Sequence, residues 1–132
     1  MLVQIYETSS PEEAKALAEL GVDHIGVLVG DGSFPRERSI ENARLIFSAI
    51  PTKCKGSALL LSSDVRFIER AISELKTEIL HLGASTDLLT ASTVQSLKRR
   101  FGPSLLCEVF RWLAGKVSLS REATTILPTC CF

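Results

Sequence analysis

Apolar and polar positions along the chain recur in strand-length and then helix-length blocks. The stretch VQIYETSSPEEAKALAELGVDHIGVLVG, from Val3 to Gly30, shows one full cycle. A short apolar strand opens it and a polar corner follows. Ser10-Pro11-Glu12-Glu13 signals a helix start: Ser10 is placed to cap, proline suits the first turn, and Glu13 can reach back as a capping box. Ala14, Leu17, Ala18 and Leu20 give that helix one apolar face, and Gly21 is expected to stop it in a left-handed turn. His24 to Val29 is apolar nearly throughout and rich in Val and Ile. A strand covered on both faces has that pattern; a one-sided strand alternates.

The cycle then repeats. Ser39 caps a helix from Ile40 to Ile50, ended by Pro51, and Lys55 to Leu61 is another buried strand. Ser63 or Ser62 opens a helix from Asp64 to Lys76, with Val65, Ile68, Ile72 and Leu75 on its inner face. Glu78 to Leu82 is a fourth strand, Thr90 caps a helix to Phe101, and Leu105 to Phe110 is a fifth strand. No hairpin signal separates the strands, so right-handed βαβ crossovers and a parallel sheet are expected. Past Arg111 the pattern fades. Residues 112–132 read as an atypical tail to a single α/β domain spanning 1–132, with one faint helical pattern from Ser118 to Thr125. The ending ATTILPTCCF looks truncated or read out of register.

Two architectures accommodate five such units. One is a doubly wound sheet of flavodoxin type, strand order 2-1-3-4-5, complete at about this length. The other is part of an eight-fold β/α barrel, which takes ~200 residues or more and pairs its strands in sequence order. Motifs count against familiar members of the first. A phosphorelay receiver needs an acidic pair after strand one, an Asp ending strand three and a Lys ending strand five. Here those places hold a lone Glu7, Ser62-Ser63-Asp64, and no lysine. A flavodoxin phosphate loop is rich in glycine, whereas ETSSPEE has none and carries carboxylates that repel phosphate.

Composition narrows the function classes. Of 132 residues 45% are apolar, enough for a real core and too many for a disordered chain. Lys plus Arg and Asp plus Glu both number 15, so net charge points to neither nucleic acid nor an anionic membrane. Lys98-Arg99-Arg100 falls in the last turn of a predicted helix, where it complements the helix dipole. No apolar run approaches the ~20 residues of a membrane helix, and MLVQIYE lacks the layout of a signal peptide. A cytoplasmic protein with reduced thiols is expected. The four cysteines, Cys54, Cys107, Cys130 and Cys131, have no C-x-x-C spacing and no nearby histidine, which argues against zinc.

The opening segment resembles that of the phosphoribosylanthranilate isomerase family, which begins V-K-I-C-G-I-T-R-P-E-D-A and continues with a helix ending A-G-A-D-x-x-G. Phe34-Pro35-Arg36 resembles the family's S-P-R. Ile50-Pro51 and Lys55 sit where it has L-P and a lysine before strand three, and Glu78-Ile79-Leu80-His81-Leu82 resembles its fourth strand. The likeness runs from Leu2 to Phe101 and then thins. It implies a (β/α)8 barrel of which this chain holds about five units. It also implies an Amadori rearrangement in tryptophan synthesis, driven by a general acid and a general base without a cofactor.

Residue by residue, the resemblance implies an impaired site. The family's base cysteine is here Tyr6, and tyrosine, with an ordinary pKa near ~10, is a poor substitute at neutral pH. An amphipathic ring plugging the barrel mouth is the alternative role. The glycine after that cysteine is Glu7, a candidate base if it points inward, although strand alternation aims it away from Tyr6. Arg36 matches the arginine that approaches the substrate's carboxylate, a task suited to a guanidinium fork; a surface arginine answering Glu37 or Glu41 is the competing reading. His81 takes a glutamine's place on strand four and Gly83 a histidine's; a lone strand-end histidine is more often a hydrogen-bonded core residue. Asp23 suits the tight turn after Gly21, and Cys54 and Cys107 suit buried thiols. The family's strand-six aspartate and glycine-rich phosphate turns have no counterpart in this sequence. The expected partners are a small phosphorylated or carboxylate ligand, and further copies of the chain paired through open sheet edges.

Overall fold

The computed structural model describes residues 1–85 and 87–102 together with the backbone of 106–109. Strands β1 (Gln4–Ile5), β2 (His24–Val29), β3 (Lys55–Leu60), β4 (Ile79–Leu82) and β5 (Leu106–Val109) alternate with helices α1 (Pro11–Glu19), α2 (Ile40–Ser48), α3 (Val65–Leu75) and α4 (Ala91–Phe101). The sheet has the order β1-β2-β3-β4-β5, and every pairing is parallel. Sequential order excludes the doubly wound alternative, which would place β1 inside the sheet. Helix α1 packs on α2, and α2 on α3, as neighbours along one side. This is a run of adjacent units of a (β/α)8 barrel. The predicted strand limits Leu105 and Phe110, the helix from Ser118 to Thr125 and the tail 112–132 lie outside the described residues.

Register assigns each strand residue to a side. Val27 pairs with Ala58, which pairs with Leu80, while Val29 pairs with Leu60 and that with Leu82. Those rows face the helices and form the main core with Ile46, Ile68 and Ile72. Each such side chain contributes roughly 1.5–3 kcal/mol by leaving water. Ala14, Ala43 and Ala71 are fully buried on three successive helices, so the helix backbones lie close to the sheet. The rows between, Gly26–Ser57–Ile79 and Leu28–Leu59–His81, line the opposite face. In a barrel that face is the interior.

The predicted helix starts hold, with two adjustments. Ser10 Oγ accepts from Glu13 N at 3.2 Å, but Glu13 reaches back one residue further than a capping box, taking Ser9 N and Ser9 Oγ, each at 2.7 Å. The cap of α3 is neither Ser62 nor Ser63. Asp64 accepts from Arg66 N at 2.9 Å, while Ser62 Oγ accepts from Asp64 N at 3.1 Å and sets the turn before it. A carboxylate there answers both the bare amides and the positive end of the helix. Helix α2 stops at Ser48, short of Ile50, because Ala49 N and Ile50 N turn to the carbonyls of Ile46 and Phe47 in a tighter final turn. Gly21 has φ 88°, as a left-handed stop requires. Among the described residues no helix is long and apolar enough to cross a membrane.

These caps generate a test. Asp64→Ala should lower stability by about 1 kcal/mol, whereas Ser63→Ala should leave it within about 0.5 kcal/mol of the parent. Urea denaturation followed by circular dichroism measures both. Equal losses would return the cap to the serine.

Candidate functional site

Parallel β/α units gather their strand-to-helix turns at one end of the sheet, where chemistry in such folds resides. Here that end carries Tyr6 and Glu7 after β1, the loop from Gly30 to Ser39 after β2, and His81 near the end of β4. The four candidates Tyr6, Glu7, Arg36 and His81 meet there as two pairs.

The first pair lies on the inner face. Tyr6 Oη stands 2.8 Å from His81 Nδ1, and the two rings are tilted at 46° with centroids 5.8 Å apart. With Nε2 carrying the ring proton the phenol donates to Nδ1; in the other tautomer Nδ1–H donates to the phenol oxygen. Both residues are half-buried. Tyr6 fits because β2 offers Gly26 opposite it, where a Cβ would stand 2.9 Å from Tyr6 Cδ1 and 3.0 Å from Ile5 O. Beneath them Gln4 Nε2 makes a long 3.5 Å contact to Ser57 Oγ, a fully buried hydroxyl on the same face.

The second pair lies at the rim. Arg36 Nη1 donates to Glu7 Oε2 at 2.6 Å, with side chains 71% and 39% exposed. The reading of Arg36 as a surface arginine answering Glu37 or Glu41 is thus corrected in its partner, which is Glu7. Glu41 is held by Arg70 at 3.2 Å, and Glu37 accepts from Gly32 N at 2.9 Å and Phe34 N at 3.2 Å. Glu37 folds under its own loop because Gly30 leaves it space: a Cβ on Gly30 would fall 1.9 Å from the Glu37 carboxyl carbon. Strand alternation does not govern Glu7, because β1 ends at Ile5 and Glu7 turns left-handed, and its side chain goes to the rim away from the Tyr6–His81 pair.

Glu7 (φ 60°) and Arg36 (φ 69°) are two of only three described non-glycine residues with positive φ. Such a conformation is disfavoured by on the order of 1–3 kcal/mol per residue and persists only where the surroundings impose it. Here they do. Thr8 N donates to Gly26 O at 2.9 Å just past Glu7, and Thr8 is 1% exposed. Beyond Arg36, Arg38 N donates to Leu28 O at 2.8 Å and Arg38 O accepts from Gly30 N at 3.0 Å, adding a parallel bridge beside β2.

Two further groups at this end were not singled out from the sequence. Thr8 Oγ1 and Arg38 Nε are buried without a hydrogen-bond partner among the described residues. The Glu13 carboxyl is held below its ordinary range by Ser9 N–H and hydroxyl donation, with smaller help from Arg36 and Arg38. The burial of Thr8 and of Arg38 Nε follows from the packing of loops against β2, which neither motif nor spacing announces. Away from the mouth, Asp23 Oδ2 accepts from Val3 N at 2.7 Å and so anchors the start of β1. Cys54 is buried with Sγ 3.1 Å from Val22 O, while the Cys107 side chain lies outside the described residues. Among the described residues no cluster of His, Cys, Asp or Glu could hold a metal.

The strand order, the one-sided helices and a strand-end site define a β/α-barrel protein. Comparison with solved structures makes the likeness specific. N-(5'-phosphoribosyl)anthranilate isomerase from Pyrococcus furiosus superposes with a TM-score of 0.66 at 20% identity, covering 81% of this chain and 49% of that one. The isomerase from Thermotoga maritima gives 0.63 at 20% identity, with 81% and 49% covered. The Thermus thermophilus isomerase gives 0.57 at 23% identity, with 64% and 42% covered. The chain thus has the phosphoribosylanthranilate isomerase fold over about half the length of those proteins. No protein-family model and no curated protein sequence matches it.

The strained rim yields a second test. Glu7→Gly and Glu7→Gln both remove the ion pair, but only glycine relaxes the left-handed backbone. Glu7→Gly should therefore be the more stable of the two by about 1 kcal/mol. Their urea midpoints decide it, and equal midpoints would show that Glu7 is unstrained.

Proposed function

We propose that this chain descends from phosphoribosylanthranilate isomerases, that its strand-end mouth binds a small phosphorylated or carboxylate ligand, and that alone it does not catalyse the rearrangement. The Tyr6–His81 hydrogen bond carries the reading. The resembling family needs a base at that position, and here a phenol stands there engaged with an imidazole. A phenol yields far less of its basic form at neutral pH than a thiol does. What supports retained binding is Arg36, a largely exposed guanidinium at the rim. One isomerase of the same fold has been solved with reduced 1-(o-carboxyphenylamino)-1-deoxyribulose 5-phosphate, a ligand carrying both anionic groups.

Incubation with phosphoribosylanthranilate, with product followed chromatographically, tests the first half; turnover indistinguishable from the uncatalysed rate is expected. Turnover at neutral pH that vanishes in Glu7→Gln would overturn the reading and make Glu7 the base. Calorimetric titration with the reduced product analogue tests the second half. Arg36→Gln should weaken binding roughly tenfold.

The fold also supports self-association. Among the described residues β1 and β5 each pair on one side only, leaving two sheet edges open. Met1, Leu2 and Ile5 are exposed apolar residues along the β1 edge. An open edge of that kind recruits another strand, and we place a second copy of the chain there. Light scattering on a size-exclusion column at micromolar concentration should show an oligomer; a monodisperse monomer would refute it.

A further inference from the structure

We infer that Glu7 is a built-in competitor for the ligand's carboxylate: it occupies the Arg36 guanidinium, and a carboxylate that binds the mouth must displace it. The inference rests on the reading of this end as an anion site and adds the residue that sets its affinity and selectivity.

The geometry favours an exchange of partners over a fixed structural bridge. Glu7 and Arg36 belong to different loops, and each loop is held by contacts that bypass the ion pair. Thr8, bonded to the Gly26 carbonyl, fixes the chain after Glu7. Glu37 and Arg38, bonded to Gly32, Phe34, Leu28 and Gly30, fix the chain around Arg36. The two left-handed residues therefore keep their places whether or not the side chains touch, and exchanging the carboxylate on Arg36 leaves the scaffold intact.

The contact is also incomplete. A guanidinium presents five N–H donors in a planar fork, and Glu7 takes one of them, through a single oxygen on Nη1 at 2.6 Å. The Arg36 side chain is 71% exposed, so the rest of the fork is open to a ligand. A carboxylate arriving face-on makes two parallel bonds, which outmatches a single lateral one. The other nearby acids are committed elsewhere: Glu13 to Ser9, Glu37 to the loop amides, and Glu41 to Arg70. Glu7 is Arg36's acidic partner among the described residues.

A selectivity follows. Carboxylates able to grip the fork with both oxygens displace Glu7, while weak or single-contact anions such as chloride do not. The displaced Glu7 stays beside the ligand and disfavours a second negative charge close to the first. The matching ligand class carries its carboxylate and its other anionic group well apart.

Calorimetric titration of the full chain with 2-aminobenzoate tests this in the parent, Glu7→Gln, Glu7→Asp, Arg36→Gln and the Glu7→Gln/Arg36→Gln pair, with thermal unfolding confirming that each is folded. Glu7→Gln should bind about two- to fivefold more tightly. Glu7→Asp, whose arm is one methylene shorter and should hold Arg36 less well, should also bind more tightly although it keeps the charge. In the Arg36→Gln background the Glu7→Gln gain should vanish. If Glu7→Gln binds no better while Arg36→Gln binds worse, the competitor role falls and the anion site stands. A gain that persists without Arg36 would reduce Glu7 to simple repulsion and overturn the inference. Absence of binding in every variant would overturn both.

Discussion

The hydrogen bond between Tyr6 and His81 exists because the sheet bends. Their strands, β1 and β4, are separated by β2 and β3. Three strand spacings put them ~14 Å apart in a flat sheet, more than a tyrosine and a histidine together span. At 2.8 Å they touch across the inner face. Curvature requires helices on the outer side alone, and alanines at the innermost helix positions let those helices lie close. Everything at the mouth depends on that bend, since it turns four separate strand ends into the rim of one concavity.

What the concavity offers is a phenol bonded to an imidazole on the inner face and an ion pair at the rim. The turn after β1 holds an aromatic ring that packs over Gly26 and hydrogen-bonds through its hydroxyl to an imidazole. The rim keeps an arginine with room around it, and binding an anion asks for less than catalysis does. A guanidinium in reach supports binding, whereas turnover requires aligned groups of matched pKa.

Strain at the rim points the same way. Two left-handed residues joined by an ion pair are not a stability device, since the exposed pair gives back less than the backbone conformations cost. The loops impose those conformations from outside through buried Thr8 and the Glu37 and Arg38 contacts. The result is a guanidinium and a carboxylate facing each other from fixed positions.

Period and capping chemistry are local, and for that reason the sequence by itself determined the elements. The Ser-Pro-Glu-Glu start, the Val- and Ile-rich run to Val29 and the absence of hairpin turns gave alternating units and a parallel sheet, and the order of short motifs gave their likeness to a known fold. Local information misplaced only details within a residue or two, such as Asp64 in place of Ser63 as a cap. Where the strands went next was decided by tertiary structure. Strand order, curvature and the partners of Tyr6, Glu7 and Arg36 are contacts across 29 to 75 positions, and no window of sequence carries such a distance. Arg36 had three carboxylates within five residues, yet it bonds to one far along the chain, because Asp31 is taken by Ser33, Glu37 by its own loop and Glu41 by Arg70. Which opposite charges meet is settled only after the backbone has chosen which way each side chain faces.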